Sequence, residues 1–294
     1  MHFTGTVYRA PADAYVPLIE ITQGCTHNNC KFCTMYKDVQ FRMSPMEWIE
    51  EDLQELKETV PNTKKLAFVG ANPFVLSYDK MKNILEKVHE YLPNVTYISM
   101  AARVTDIKNK SIEELIELRK LGIARVYVGV ESGDDWTLDR INKGYKSEDI
   151  VEQCHKLEKA GIPYWVTFLN GVSGLEHSKE HAINSAKIFN QLHPEVVGSG
   201  SLALFPDTEL SQEAAIGEFT PLNEKQMMEE FYLFLENLDI DCEIETHGGT
   251  SAMRLSSNFK NNKQKMLDKL THAMENYGCE KDYREYRRSN IRSL

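Results

Sequence analysis

No run in the 294 residues approaches the roughly 20 apolar residues needed to span a bilayer. The opening stretch MHFTGTVYRAPADAY lacks the charged-then-apolar order of a signal peptide. Both absences point away from a membrane or secreted protein and towards a cytoplasmic one. Basic charge is also in deficit: 34 Lys and Arg stand against 44 Asp and Glu, a net charge of -10. That balance works against a nucleic-acid backbone or an anionic membrane as a partner. A short basic run near the end, YREYRRSNIRSL, reads as a solvated helix or tail. No stretch rich in Pro, Gly or Ser marks a linker, and no internal repeat or low-complexity tract breaks the chain, so a single domain is expected. Cysteine is sparse, at six residues, and unevenly placed. Cys25, Cys30 and Cys33 share one short stretch, whereas Cys154, Cys242 and Cys279 stand alone. In a reducing compartment these are thiols or metal ligands rather than disulfides.

What is present is an alternation. Short apolar, β-branched runs (VPLIEIT, KLAFVG, VTYISM, ARVYVGV, PYWVTFL and VVGSGSLALF) alternate with amphipathic helical segments, the pattern of repeated βα units around a parallel sheet. Two helix starts are legible. Ser44 with Pro45 and Glu47, and Ser111 with Glu114, both have the form of a capping box. Right-handed crossovers would curl six such units into a partial (β/α)6 TIM-like barrel, with its loops gathered at the strand C-terminal ends. The expected fold is therefore α/β, with a barrel core over residues 1–206. A C-terminal α/β extension over 207–294 should pack on it, built from a helix near Asn223 to Leu238, a strand DCEIET, a Gly-Gly turn and a helix near Lys263 to Tyr277.

The segment ITQGCTHNNCKFC follows the first strand directly, which puts its cysteines in the first βα loop, at the rim where chemistry belongs. Three thiolates from one loop can hold three irons of a 4Fe-4S cubane and leave the fourth iron open to another ligand. The competing reading is a structural zinc site, which needs four closed ligands. His27 or a distant cysteine would have to complete it. Cys154 falls on the apolar face of a helix and Cys242 alternates with Ile244, so each is explained as core.

On this loop, and on text that runs along nearly the whole chain, the sequence resembles the radical S-adenosylmethionine (SAM) superfamily. The usual spacing there has three residues between the first two cysteines, and this chain has four. The resemblance implies a 4Fe-4S cluster on Cys25, Cys30 and Cys33, with SAM as second cofactor. It assigns Phe32 to the adenine of SAM, a residue that also reads as a core aromatic. Gly70, Ala71 and Asn72 stand where relatives carry a glycine-rich turn that binds the SAM amino group, although Gly-Ala-Asn-Pro departs from the common Gly-Gly-Glu-Pro. The segment VYVGVESGDDWTLDRINKG looks like the G-x-E-S-G...L...K-G text of the branch containing oxygen-independent coproporphyrinogen oxidase and Elongator-type domains. By that likeness Glu131, Lys143 and Arg103 contact SAM, and Thr167 and Ala203 line it. Tyr36, Arg42 and His247 are substrate-facing candidates; Tyr36 and Arg42 read equally as braces of the cysteine loop.

The function implied is reductive cleavage of SAM to a 5′-deoxyadenosyl radical that abstracts hydrogen from a substrate. The electron would come from a flavodoxin- or ferredoxin-type donor. Fewer than 25 residues precede the cysteines and no second cysteine cluster follows them, which favours a small-molecule substrate over cobalamin-dependent or multi-cluster chemistry. Two alternatives stand beside this. One is an activase installing a glycyl radical on a partner protein, and the other is a non-catalytic iron-sulfur carrier or sensor.

Overall fold

The computed structural model describes residues 1–246, 251 and 253–277. The strands are β1 (Leu18–Glu20), β2 (Thr22–Gln23), β3 (Arg42–Met43), β4 (Lys65–Val69), β5 (Tyr97–Ala102), β6 (Ile123–Glu131), β7 (Tyr164–Asn170), β8 (Val196–Ser201), β9 (Glu243–Thr246) and β10 (Ser256–Asn258). The helices are α1 (Met46–Thr59), α2 (Tyr78–Tyr91), α3 (Val104–Lys108), α4 (Ile112–Lys120), α5 (Asp135–Arg140), α6 (Ser147–Lys159), α7 (Ser178–Phe189), α8 (Glu209–Ala215), α9 (Glu224–Asn237) and α10 (Phe259–Glu275). Eight strands join in the order β1-β4-β5-β6-β7-β8-β9-β10, and β2 and β3 form a separate hairpin. All six expected βα strands are present and in sequence order. This is the α/β arrangement of a partial TIM-like barrel.

The chain divides into two compact units. The first comprises Met1–Asn28, Met35–Gly129 and Glu152–Trp165. In it β1, β4, β5 and β6 pair in parallel, with Ile19 opposite Phe68 and Lys65 opposite Tyr97. Parallel strands are covered on both faces and so read as nearly unbroken apolar runs, as in KLAFV, whose last four residues are buried. Helix α2 turns Met81, Ile84, Leu85 and Val88 inward, the spacing that lays one stripe of a 3.6-residue helix on a sheet.

The second unit comprises Asn29–Thr34, Val130–Val151 and the chain from Val166 onward. Here Phe168 lies stacked between His181 of α7 and Phe234 of α9, with ring centroids 4.8 and 4.1 Å away. The His181 and Glu230 side chains are fully buried and bonded to each other at 3.0 Å through His181 Nδ1, while His181 Nε2 is buried without a hydrogen-bond partner. The strand expected at DCEIET is β9, paired in parallel with β8, and β10 adds antiparallel to it.

Three local expectations are corrected. Ser44 does not cap α1: its amide donates to Ile21 O at 3.0 Å in continuation of the β2–β3 hairpin, and Pro45 takes the cap position. The run VVGSGSLALF stops being strand at Ser201, where the Leu202 amide turns to Asn170 O. Helix α10 begins at Phe259, four residues ahead of the expected start, because the Asn258 side chain caps it by accepting the Asn261 amide at 3.2 Å. The Ser111–Glu114 capping box forms as read.

Candidate cofactor site

In the first unit, the chain leaves β1 and enters the β2–β3 hairpin, which pairs Thr22 with Met43 and Gln23 with Arg42. The hairpin closes the loop that carries the three clustered cysteines. Gly24 has φ +66°, and a Cβ there would lie 2.5 Å from Val39 O, so only glycine lets the two arms of the loop approach this closely. Arg42 donates through Nε to Gln23 Oε1. Tyr36 meets Tyr8 edge-on at 5.4 Å, and its carbonyl accepts Asn28 Nδ2 at 2.8 Å. Burial, with lesser contributions from Tyr8 and Glu20, pushes the Tyr36 phenol well above its ordinary range and keeps it protonated. Both residues thus make contacts within the first unit, Arg42 across the hairpin and Tyr36 with Tyr8 and Asn28.

After β4 comes Gly70, at φ +130°, where a Cβ would lie 2.3 Å from Thr22 Oγ1. Ala71 follows, half-buried, and then Asn72, fully buried. The Asn72 side chain is spent on the protein itself. Its Oδ1 accepts the Thr26 amide at 3.3 Å, and its Nδ2 donates to Thr26 Oγ1 at 2.8 Å and to Asp106 Oδ2 at 3.0 Å. Arg103 lies one turn before Asp106, which accepts its amide at 2.7 Å. Burial raises the Asp106 carboxyl above its ordinary value despite these bonds. Sequence reasoning missed Asp106; its signal was an acidic residue at the third position of a short helix, which is also a common capping pattern.

The second unit carries five of the residues assigned to SAM. Glu131 ends β6 with φ 69°, a left-handed conformation that costs a non-glycine residue about 1–3 kcal/mol and that persists where the surroundings enforce it. The Val130 and Glu131 amides both donate to Thr167 Oγ1, at 2.9 and 3.2 Å, which fixes the strand end. Lys143 Nζ stands 3.6 Å from Glu131 Oε1 and 5.9 Å from the centroid of the Phe32 ring, within cation–π range. The Lys143 side chain is 5% exposed and that of Glu131 18%. Phe32 packs on a buried cluster that includes Ile141, Leu202 and Leu210. Ala203 is half-buried, just past the end of β8. One carboxylate, one ammonium and one aromatic face therefore converge, the last of them from the residue that precedes Cys33.

Sequence reasoning also missed the anchorage of Lys31. Its ammonium lies 2.8 Å from Glu209 and 2.7 Å from Glu213 of α8, and Arg140 also pairs with Glu213. Hydrogen bonds that Lys31 donates to Glu209 and then to Glu213 raise it above its ordinary value. Burial opposes the Glu213 charge, but bonds from Arg140 and Lys31 outweigh it and hold the carboxyl low.

The donor set fits an iron-sulfur cluster. Cys25, in the first unit, and Cys30 and Cys33, in the second, are cysteines of intermediate exposure. Cys154 and Cys242 are buried, and burial drives the Cys154 thiol far up and the Cys242 thiol up to about 12. Near Cys25, Thr22 Oγ1 and Gln23 Nε2 are buried without hydrogen-bond partners, polar atoms that a cofactor at this loop could engage. Among the described residues no three His, Cys, Asp or Glu side chains converge on a point that one ion could fill. A cubane takes its thiolates on three separate irons, so a single-ion geometry is not its signature. His247 and Cys279 lie outside the described residues. No described helix is long and apolar enough to cross a membrane.

A family profile described as "Radical SAM superfamily" matches residues 19–187. An uncharacterised protein of Methanocaldococcus jannaschii is 22% identical over 285 residues, covering 92% of this chain and 87% of its own. The heme chaperone HemW of Bacillus subtilis is 25% identical, over 63% of this chain and 49% of its own. The tRNA-2-methylthio-N(6)-dimethylallyladenosine synthase of Chloroherpeton thalassium is 27% identical over 56% and 37%. The chain thus spans most of the first relative but only about half or less of the other two. Among solved structures, methylornithine synthase (PylB) aligns with TM-score 0.52 at 17% identity, over 89% of this chain and 81% of its own. Elp3 of Methanocaldococcus infernus aligns with TM-score 0.51 at 17% identity, over 80% and 60%. With the family profile covering more than half its length, the chain belongs to the radical SAM superfamily, an enzyme family whose members bind a 4Fe-4S cluster and SAM.

Proposed function

We propose that the chain is a radical SAM enzyme that holds its cluster on Cys25, Cys30 and Cys33 and acts on a small-molecule substrate, with a flavodoxin- or ferredoxin-type protein as electron donor. The observation that carries this reading is the convergence of Glu131, Lys143, Thr167 and Phe32 in one unit, with Phe32 immediately preceding Cys33. When bound, the cluster and SAM supply reductive cleavage of a sulfonium bond and a carbon radical able to abstract hydrogen.

The protein's own residues do the binding. Lys143 offers an ammonium for the carboxylate of SAM, and Glu131 offers a carboxylate for a hydroxyl or amino group. Thr167 holds the Glu131 backbone, and Phe32 presents a ring face on which an adenine can stack. In the first unit, the half-buried backbone at Gly70 and Ala71 is available for polar contacts, since the Asn72 side chain is already engaged. The Tyr36 phenol stays neutral and can donate a hydrogen bond at neutral pH without supplying a base.

The relatives act in different ways, one named as a heme chaperone and another as a tRNA-modifying synthase, so what they share is the cofactor chemistry. A net charge of -10 favours a small molecule over RNA here. The deciding experiment is anaerobic reconstitution with iron and sulfide, followed by dithionite and SAM. Formation of 5′-deoxyadenosine is the expected result. A reduced cluster whose electron paramagnetic resonance (EPR) signal ignores saturating SAM would instead leave an electron carrier.

A further inference from the structure

Lys31 sits between two of the proposed cluster ligands, Cys30 and Cys33, and three separate contacts in the second unit hold it. Its amide donates to Ile141 O at 3.1 Å. Its carbonyl accepts the Leu210 amide, from α8, at 3.0 Å. Its ammonium ends between Glu209 and Glu213 of the same helix. Arg140, at the end of α5, pairs with the second of these carboxylates. Two residues on, Asn142 Nδ2 donates to Asn29 O at 3.0 Å, and the next residue is Lys143. The turn formed by residues 141–143 therefore docks the cysteine segment with its backbone and Asn142, and carries Lys143 over Phe32.

The Glu213 side chain is 13% exposed and those of Lys31 and Arg140 are 22% and 21% exposed, so these charges are largely shielded from solvent. Charges so placed keep a fixed geometry only while all partners remain, because removing one leaves another poorly compensated. Lys31, Arg140 and Glu213 are not themselves among the proposed SAM contacts. Their effect is to set where the Asn29–Thr34 segment lies relative to Glu131 and Lys143 in the same unit.

We infer that Lys31, Arg140 and Glu213 are positioning residues: a salt-bridge clamp from α5 and α8 that sets the Cys30–Cys33 segment against the turn bearing Lys143, and so governs how SAM meets the cluster. The inference rests on the cofactor reading above, and its test has an arm that does not. In the cluster-free protein, hydrogen exchange at the Lys31 and Leu210 amides should quicken by about tenfold or more in Glu209→Gln/Glu213→Gln. In Lys31→Arg, whose guanidinium reaches both carboxylates, the rates should stay at the wild-type level. After reconstitution, the double variant should keep wild-type iron and sulfide content while its SAM dissociation constant rises about tenfold. Lys31→Met should do the same, and Lys31→Arg should not. Wild-type exchange rates in the double variant would overturn the clamp, as would equal SAM affinities for Lys31→Met and Lys31→Arg. If the double variant fails to fold, the comparison of Lys31→Met with Lys31→Arg decides alone. If even the wild-type cluster shows no response to SAM, the cofactor reading fails, and the exchange arm still judges the clamp.

Discussion

Cys154 and Cys25 carry the same side chain, and what separates them is access to solvent and metal. Replacing Cys25, Cys30 or Cys33 with Ala should each abolish the brown chromophore and the bound iron. Cys242→Ala and Cys154→Ala should leave both intact, the latter at a stability cost of about 1 kcal/mol for the lost sulfur packing. Iron analysis after anaerobic reconstitution distinguishes these outcomes. Glu131 and Lys143 form a largely buried pair, so the two single variants should not behave alike. Glu131→Gln keeps a side chain that can accept a bond from Lys143 and should weaken SAM binding roughly ten- to hundredfold, the value of one bond to a charged group, with a small fall in the thermal midpoint for the lost counter-charge. Lys143→Met removes the ammonium 3.6 Å from the Glu131 carboxylate, along with its contacts over Phe32 and Tyr145, and should lower the midpoint further. Anaerobic titration calorimetry and melting curves on both variants check this, and unchanged SAM affinity in both would remove the pair from the site.

At the scale of elements, the link between the Pro73–Val75 turn and α3 depends on a buried amine. Lys110 is 1% exposed and donates to Phe74 O at 2.6 Å, and burial lowers it from 10.5 to about 8. Below pH 8 it is charged in both folded and unfolded states, and its burial weighs against the fold. Between about pH 8 and 10.5 the unfolded chain binds the extra proton, so this group makes the protein more stable as pH rises. Relative to Lys110→Met, the wild type should therefore gain up to about 3 kcal/mol in urea unfolding between pH 7 and pH 10. A gap that stays constant with pH would mean that Lys110 is not desolvated.

The six barrel strands were legible because parallel strands are covered on both faces, leaving an apolar run no helix period explains. The placement of Glu131 and Lys143 on either side of one short helix was legible in their segment. The start of α1 was misread because Ser44 looks like a cap until the hairpin claims its amide. The Lys31–Glu213 bond joins residues 182 positions apart, and no local pattern announces a partner that folding alone brings near.

For the molecule as a whole, the net charge of -10 sets an expectation about partners. Cleavage of SAM should proceed without added RNA, and fluorescence anisotropy at about 150 mM salt should detect no binding to a mixed tRNA pool, because a strongly anionic protein gains nothing from counterion release. Binding that weakens steeply with salt would argue for a nucleic-acid substrate, as in the tRNA-modifying relative. The contrast between shielded and accessible thiols has a practical consequence. An alkylating reagent at mildly alkaline pH should mark Cys25, Cys30 and Cys33 in the apoprotein and pass over Cys154 and Cys242, whose protonated, enclosed sulfurs react slowly. Mass-spectrometric footprinting at those three positions then becomes a molecule-by-molecule gauge of cluster loading, independent of colour, spin or turnover.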